Sequence, residues 1–188
     1  MFLGALVKNS LRMLSRRLLS TNNLIKLPKL AVFDLDHTIW PFGVDSFCYT
    51  PPFHYNDKGQ VIDMSSKVIE HFPDIPEIFQ YLKDNSIKIA VASRTRYPHG
   101  AITLLQKLYL EPKIDYFEIY PGQKMKHFQR ISEQSKVNFE QMIFFDDEDR
   151  NIVDINQLGV FSVLVPHQTG VTNDNFNEAL KQFHQSRK

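Results

Sequence analysis

Five short apolar runs constrain this chain more than any other feature, because the stretches between them carry apolar residues at helical spacing. The runs are KLAVFDL (29–35), IKIAVAS (87–93), FEIYP (117–121), MIFFDD (142–147) and VFSVLVP (160–166). A continuous apolar run of strand length suits a strand buried on both faces. Between the runs, EIFQYLKDN sets Ile78, Phe79 and Leu82 on one face, and Pro76 suits a first helical turn. GAITLLQKLYL aligns Ile102, Leu105 and Leu108, and KMKHFQRISEQS aligns Met125, Phe128 and Ile131. EDRNIVDINQLG aligns Ile152, Ile155 and Leu158 and stops at Gly159, and NFNEALKQFHQ closes the chain. Strands alternating with helices predict an α/β fold: a doubly wound, Rossmann-like parallel five-stranded sheet with helices on both faces.

Two stretches stand outside that alternation. Before Asp34 the chain has no acidic residue at all, yet it carries Lys8, Arg12, Arg16, Arg17, Lys26 and Lys29 among serines. At about 100° per residue, Leu3, Leu6, Val7, Leu11, Leu14 and Leu18 share one side, opposite Lys8, Arg12 and Arg16. This basic amphipathic leader, residues 1–26, has the pattern of a mitochondrial targeting segment. A basic tail, a later start at Met13 and a peripheral membrane helix are the alternatives, and a cytoplasmic location goes with the first two. The second stretch, 40–72, holds YTPPFH and the turn-like NDKG. It predicts a β-hairpin flap after strand one, within a domain of residues 27–188 that has no large cap.

Composition excludes more than it selects. A net charge of +1 gives no electrostatic case for nucleic acid. The single cysteine, Cys48, cannot form a disulfide within the chain. No apolar run approaches the roughly 18 residues of a membrane span, so no integral membrane association is expected. A monomer is expected.

In open parallel sheets function gathers at the carboxyl ends of the strands. Strand one ends in Asp34-Leu35-Asp36, strand two in Ser93-Arg94, and strand four in Asp146-Asp147; Lys124 follows strand three. Two carboxylates 4 Å apart repel by about 1 kcal/mol in water and about 4 kcal/mol at an effective dielectric of 20. A hard divalent cation relieves that repulsion, and carboxylate, carbonyl and water oxygens suit Mg²⁺, which commonly shares a phosphate. Ser93, Lys124 and the amides of a helix start are phosphate partners on the same edge. The seven histidines show no pair at metal-ligand spacing, and none is assigned to the site; His37 is expected to shape the entrance.

These residues carry a family resemblance. DLDHT after an apolar strand resembles the nucleophile motif of the haloacid dehalogenase superfamily, and VASRT, Lys124 and FFDDED resemble its second, third and fourth motifs in order. LPKLAVFDLDHTIWPF, PPFH, ASRT, EIYPG and FFDDEDRNI look like the capless magnesium-dependent phosphatase branch. The resemblance runs from about Leu27 into the last helix.

It implies that Asp34 attacks phosphorus, that Asp36 acts as general acid and base, and that Thr38 orients Asp36. It further implies that Ser93, Arg94 and Lys124 hold the phosphoryl oxygens. Mg²⁺ is implied between Asp34, the Asp36 carbonyl and Asp147, with Asp146 behind. The implied substrates are phosphorylated proteins of the phosphotyrosine type and sugar phosphates. A phosphotransferase or mutase would need a lid, and a non-enzymatic phospho-binding module would lose Asp34 or Asp36. A signalling receiver would place its acidic pair on the first strand.

Overall fold

A computed structural model of the chain describes residues 26–46 and 51–187. The leader reading, and that on Cys48, lie outside the described residues. Strand β1 (Leu30–Phe33) is followed by the short strands β2 (His54–Tyr55) and β3 (Val61–Ile62). Then come α1 (Ile75–Asp84), β4 (Lys88–Ser93), α2 (Pro98–Lys107), β5 (Tyr116–Ile119) and α3 (Lys124–Ser135). The chain continues through β6 (Met142–Asp146), α4 (Asp149–Asn156) and β7 (Phe161–Leu164) to α5 (Asn173–Ser186). The main sheet has the order β5-β4-β1-β6-β7, and every pairing in it is parallel.

Burial explains why β1 lies in the middle. All four of its residues are fully buried, and Ala31 sits in register with Ile89 on one side and Ile143 on the other. Successive side chains point to opposite faces. Ala31, Phe33 and Leu35 join the core under α1, α2 and α5. Leu30 and Val32 join the core under α3 and α4 with Phe128, Ile131 and Ile155. Each fully buried side chain of this size contributes about 1.5–3 kcal/mol, so a strand buried on both faces anchors the sheet.

Helix ends follow local chemistry. Pro76 and Pro98 sit in first turns, where the missing N–H costs nothing. Helix α3 spans the residues expected of it and stops at Lys136 in the left-handed region. Helix α4 ends at Asn156, short of Gly159; the chain reaches Gly159 through turns closed by Ile155 and Asn156. Helix α5 begins with a capping box in which Thr172 and Asn175 exchange hydrogen bonds.

Within the 40–72 segment, β2 and β3 pair as a short hairpin. Tyr55 pairs antiparallel with Val61, and the Asn56 side chain accepts from the Lys58 and Gln60 amides around Gly59 at φ 73°. Its Tyr55 hydroxyl donates to the Lys107 carbonyl at the end of α2 (2.8 Å). Among the described residues of the hairpin none lines the cavity at the carboxyl ends of the strands; from this segment Gly43 and Asp45 do. Among the described residues, no helix is long and apolar enough to cross a membrane.

Candidate active site

The carboxyl ends of β1, β4 and β6 surround a cavity of about 460 Å³. Asp34 continues β1, its amide donating to the Phe145 carbonyl (3.0 Å). Leu35 turns into the core, so Asp34 and Asp36 both face the cavity. The Leu35 carbonyl then accepts from the Thr38 and Ile39 amides, closing a tight turn that holds His37 at φ 56°. That turn brings Trp40 back beneath Asp36. The Asp36 Oδ1 accepts from the Trp40 indole (2.8 Å) and the Val44 amide (3.1 Å).

Here the structure corrects one expectation. Trp40 and Val44 orient Asp36; Thr38 is fully buried and its hydroxyl has no hydrogen-bond partner among the described residues. Burial pushes the Asp36 carboxyl up to about 6, against the pull of those two hydrogen bonds. A carboxylic acid near 6 can give and take a proton close to neutral pH.

Lys124, the first residue of α3, is 2% exposed. Its ammonium donates to Asp34 Oδ1 and to Asp146 Oδ2 (2.6 Å), above the Phe144 ring. It therefore stands behind Asp34 and bridges two acids, where the sequence expectation was a direct phosphate partner. Burial pulls its pKa down, and Asp34 and Asp146 more than reverse this, so it stays charged. Burial raises the Asp34 carboxyl well above the ordinary range; Lys124 opposes the rise while Asp146 and Asp36 add to it.

The two acids that end β6 separate cleanly. Asp146 is fully buried and accepts from Lys124, from the Glu148 amide (2.7 Å) and from the Asn151 amide group (3.1 and 3.0 Å). Asp147 lines the cavity. Its Oδ2 lies 2.9 Å from His167 Nδ1, and the His167 ring stacks on His37 at 3.5 Å. Burial lowers the His37 pKa, and the neighbouring His167 adds to the effect.

On the opposite wall Ser93, 2% exposed, ends β4 and lines the cavity. Arg94 donates to Asn151 (3.3 Å) and lies 3.7 Å from Glu148, which also takes two bonds from Arg150. Every sequence-assigned residue thus reaches one edge of the sheet. His167, Asn151 and Glu148 were missed as participants. Glu148 reads as a helix start, which it is, and nothing local in the sequence ties His167 to Asp147.

The acid phosphatase family model matches residues 26–186. The chain belongs to that family. Human magnesium-dependent phosphatase 1 is 42% identical over 158 residues, covering 84% of this chain and 88% of the relative. A Schizosaccharomyces pombe protein of the HAD-like hydrolase superfamily is 39% identical over 147 residues, covering 72% of this chain and 84% of its own. The N-terminal part of a Bacteroides fragilis protein, containing a phosphatase domain complexed with Mg, superposes with a TM-score of 0.59 at 19% identity. That match covers 82% of this chain and 40% of the other, and shows the fold. As a member of the acid phosphatase family, the chain falls in the magnesium-dependent branch of the haloacid dehalogenase superfamily. The four motifs picked out in its sequence sit at the strand ends and helix start that rim the cavity or stand behind it.

Proposed function

We propose that the chain is a Mg²⁺-dependent phosphomonoester hydrolase working through an aspartyl-phosphate on Asp34. The placement of Asp34 and Asp36 on one cavity wall carries this reading. Asp34 Oδ attacks phosphorus as the ester P–O bond breaks, and the leaving oxygen takes the proton of Asp36. Water then attacks the aspartyl-phosphate, gives its proton to Asp36 and releases phosphate and the Asp34 carboxylate. Lys124 aims Asp34 and opposes the effect of burial on its charge, while Ser93 and Arg94 face the transferring oxygens.

The donor set fits a hard cation. Asp34, Asp147 and the Asp36 carbonyl are all oxygens, and the buried acids outnumber the one buried ammonium between Asp34 and Asp146. Among the described residues no three His, Cys, Asp or Glu side chains form a cage by themselves. Two carboxylates, a carbonyl, waters and substrate phosphate are a usual Mg²⁺ set. Bound there, the ion would screen the phosphate from the charge of Asp34.

Phosphotyrosine-like groups and sugar phosphates are the proposed substrates. An edge that the described hairpin residues do not line admits bulky groups, and it lets water reach the phosphoenzyme, which favours hydrolysis over transfer.

Turnover of para-nitrophenyl phosphate with Mg²⁺ and with chelator, on wild type and Asp34→Asn, tests the mechanism. Loss of turnover in chelator and in the variant is expected. Turnover without metal, or an active variant, refutes it. A panel of phosphotyrosine peptides and sugar phosphates ranks the substrates by kcat/KM.

A further inference from the structure

The loop from β4 to α2 carries a second arginine, two residues beyond Arg94, that the chemistry above does not use. Arg96 lines the same cavity. Asp45 fixes the root of its side chain: the Asp45 Oδ2 accepts from the Arg96 backbone amide (3.0 Å) and lies 3.5 Å from the side-chain Nε. Beyond Nε, the two terminal nitrogens of Arg96 have no partner among the described residues, and the side chain is 82% exposed. A guanidinium carries five donors in a fixed fork that matches a carboxylate. With only Nε engaged, the terminal pair of Arg96 is available to one.

The three arginines that line the cavity are not equivalent. Arg150 gives two bonds to Glu148, at 2.8 and 2.7 Å, so its fork is occupied. Arg94 follows Ser93 at the end of β4, where the transferring phosphoryl group is placed, and is held lightly by Asn151 (3.3 Å). Arg96 is anchored elsewhere. Its partner Asp45 is the residue after Val44, whose amide donates to the Asp36 carboxylate (3.1 Å). The acid that gives its proton to the leaving oxygen and the arginine with the open fork are therefore held by neighbouring residues of one loop. A guanidinium on that side meets what the leaving oxygen is attached to. The Asp45 contact leaves its charge largely uncommitted, because a single long contact on a side chain mostly in water is weak.

We propose that Arg96 is a specificity-determining residue that binds a carboxylate carried by the leaving group. The preferred substrate is then a phosphomonoester with a second, carboxylate anion beyond the scissile phosphate. Both substrate groups named above supply one: a sugar acid phosphate, or a phosphotyrosine flanked by acidic residues. The proposal rests on the phosphatase reading for the leaving group, and on the tie between Asp45 and Arg96 for its place.

Matched substrate pairs test it on the full, Mg²⁺-loaded chain. Gluconate 6-phosphate and glucitol 6-phosphate share their leaving oxygen and differ in a carboxylate or an alcohol at the far end. One phosphotyrosine peptide carries Glu on both sides of the phosphorylated residue, and its counterpart carries Gln. In wild type, the carboxylate member of at least one pair is expected to have about tenfold higher kcat/KM, the effect of a charge-assisted hydrogen bond discounted for exposure. The pair that responds identifies the source of the carboxylate. Arg96→Gln should erase the preference and Arg96→Glu should invert it; position 96 is exposed, and thermal melting checks that both variants fold. Each figure is a ratio within one enzyme, so a general loss of activity does not move it. No preference in either pair, or a preference that survives in Arg96→Gln, overturns the proposal. Calorimetric binding of the two sugar phosphates to Asp34→Asn, with and without Arg96→Gln, reads the same preference independently of turnover. Failure of the phosphatase reading shows separately, as metal-independent turnover or an active Asp34→Asn.

Discussion

The acid role proposed for Asp36 calls for a buried wall near neutral pH, and that same burial penalises its charge. Its folded value, about 6 against an ordinary 3.8, arises from burial first, with the Trp40 and Val44 hydrogen bonds holding it lower than burial alone would. The folded chain therefore binds this proton more tightly than the unfolded chain. The associated stability is fully present below pH about 3.8 and is lost as pH rises through about 6, by at most about 3 kcal/mol. Asp36→Asn keeps an oxygen for Trp40 and Val44 and carries no charge. It should abolish turnover yet raise Tm at pH 7.5 in chelator by several degrees, with the gain gone near pH 4. A Tm at or below wild type at pH 7.5 contradicts this. The spacing of Asp34 and Asp36 was readable directly, because it follows from strand alternation. Their partners were not: Trp40 reaches Asp36 only because the Leu35 carbonyl closes a turn, and Thr38 was the nearer guess in sequence.

At the scale of elements, the segment after β7 decides more than its plain sequence suggests. Gly170 has φ 57°, and a Cβ there would stand 2.5 Å from the Thr38 carbonyl and 2.3 Å from the Phe72 ring. The next amide, Val171, donates to that same carbonyl (3.1 Å). The contact ties the β7 loop, with His167, to the turn that carries Asp36. Gly170→Ala is expected to cost about 3 kcal/mol, since backbone conformation and backbone packing both oppose it. Chemical denaturation measures this, and a change under about 1 kcal/mol would refute it.

His167→Ala removes the ring nitrogen that lies 2.9 Å from the Asp147 carboxylate. It should raise the Mg²⁺ concentration needed for half-maximal turnover about tenfold while leaving kcat near wild type. An unchanged Mg²⁺ requirement would remove His167 from the site. The five strands and five helices were readable because each announces itself within its own periodicity. The reach of His167 to Asp147 was not, because it depends on β7 pairing beside β6.

For the whole molecule, the strand order β5-β4-β1-β6-β7 sends the connections of β1 and β6 to opposite sides and leaves a crevice between their ends. Asp34 and Asp147 both line it. A cation held there binds only the folded chain, since no unfolded segment places these oxygens together. At one hundred times its dissociation constant Mg²⁺ should add about 2.7 kcal/mol of stability, visible as about 5–10 °C in Tm relative to chelator. Asp147→Asn should lose most of that shift; a full shift in the variant would place the ion elsewhere.

By itself, the sequence determined the apolar strands, the amphipathic helices, the acids at the strand ends and the family that their order betrays. These are local properties, set by alternation of side chains and by chain order. Only the tertiary structure decided which charges answer which. It gave Lys124 to Asp34 and Asp146, exposed Asp147 to the cavity and buried Asp146. Those pairings join strand ends far apart in the chain, and their geometry exists only once parallel crossovers have brought the ends to one edge.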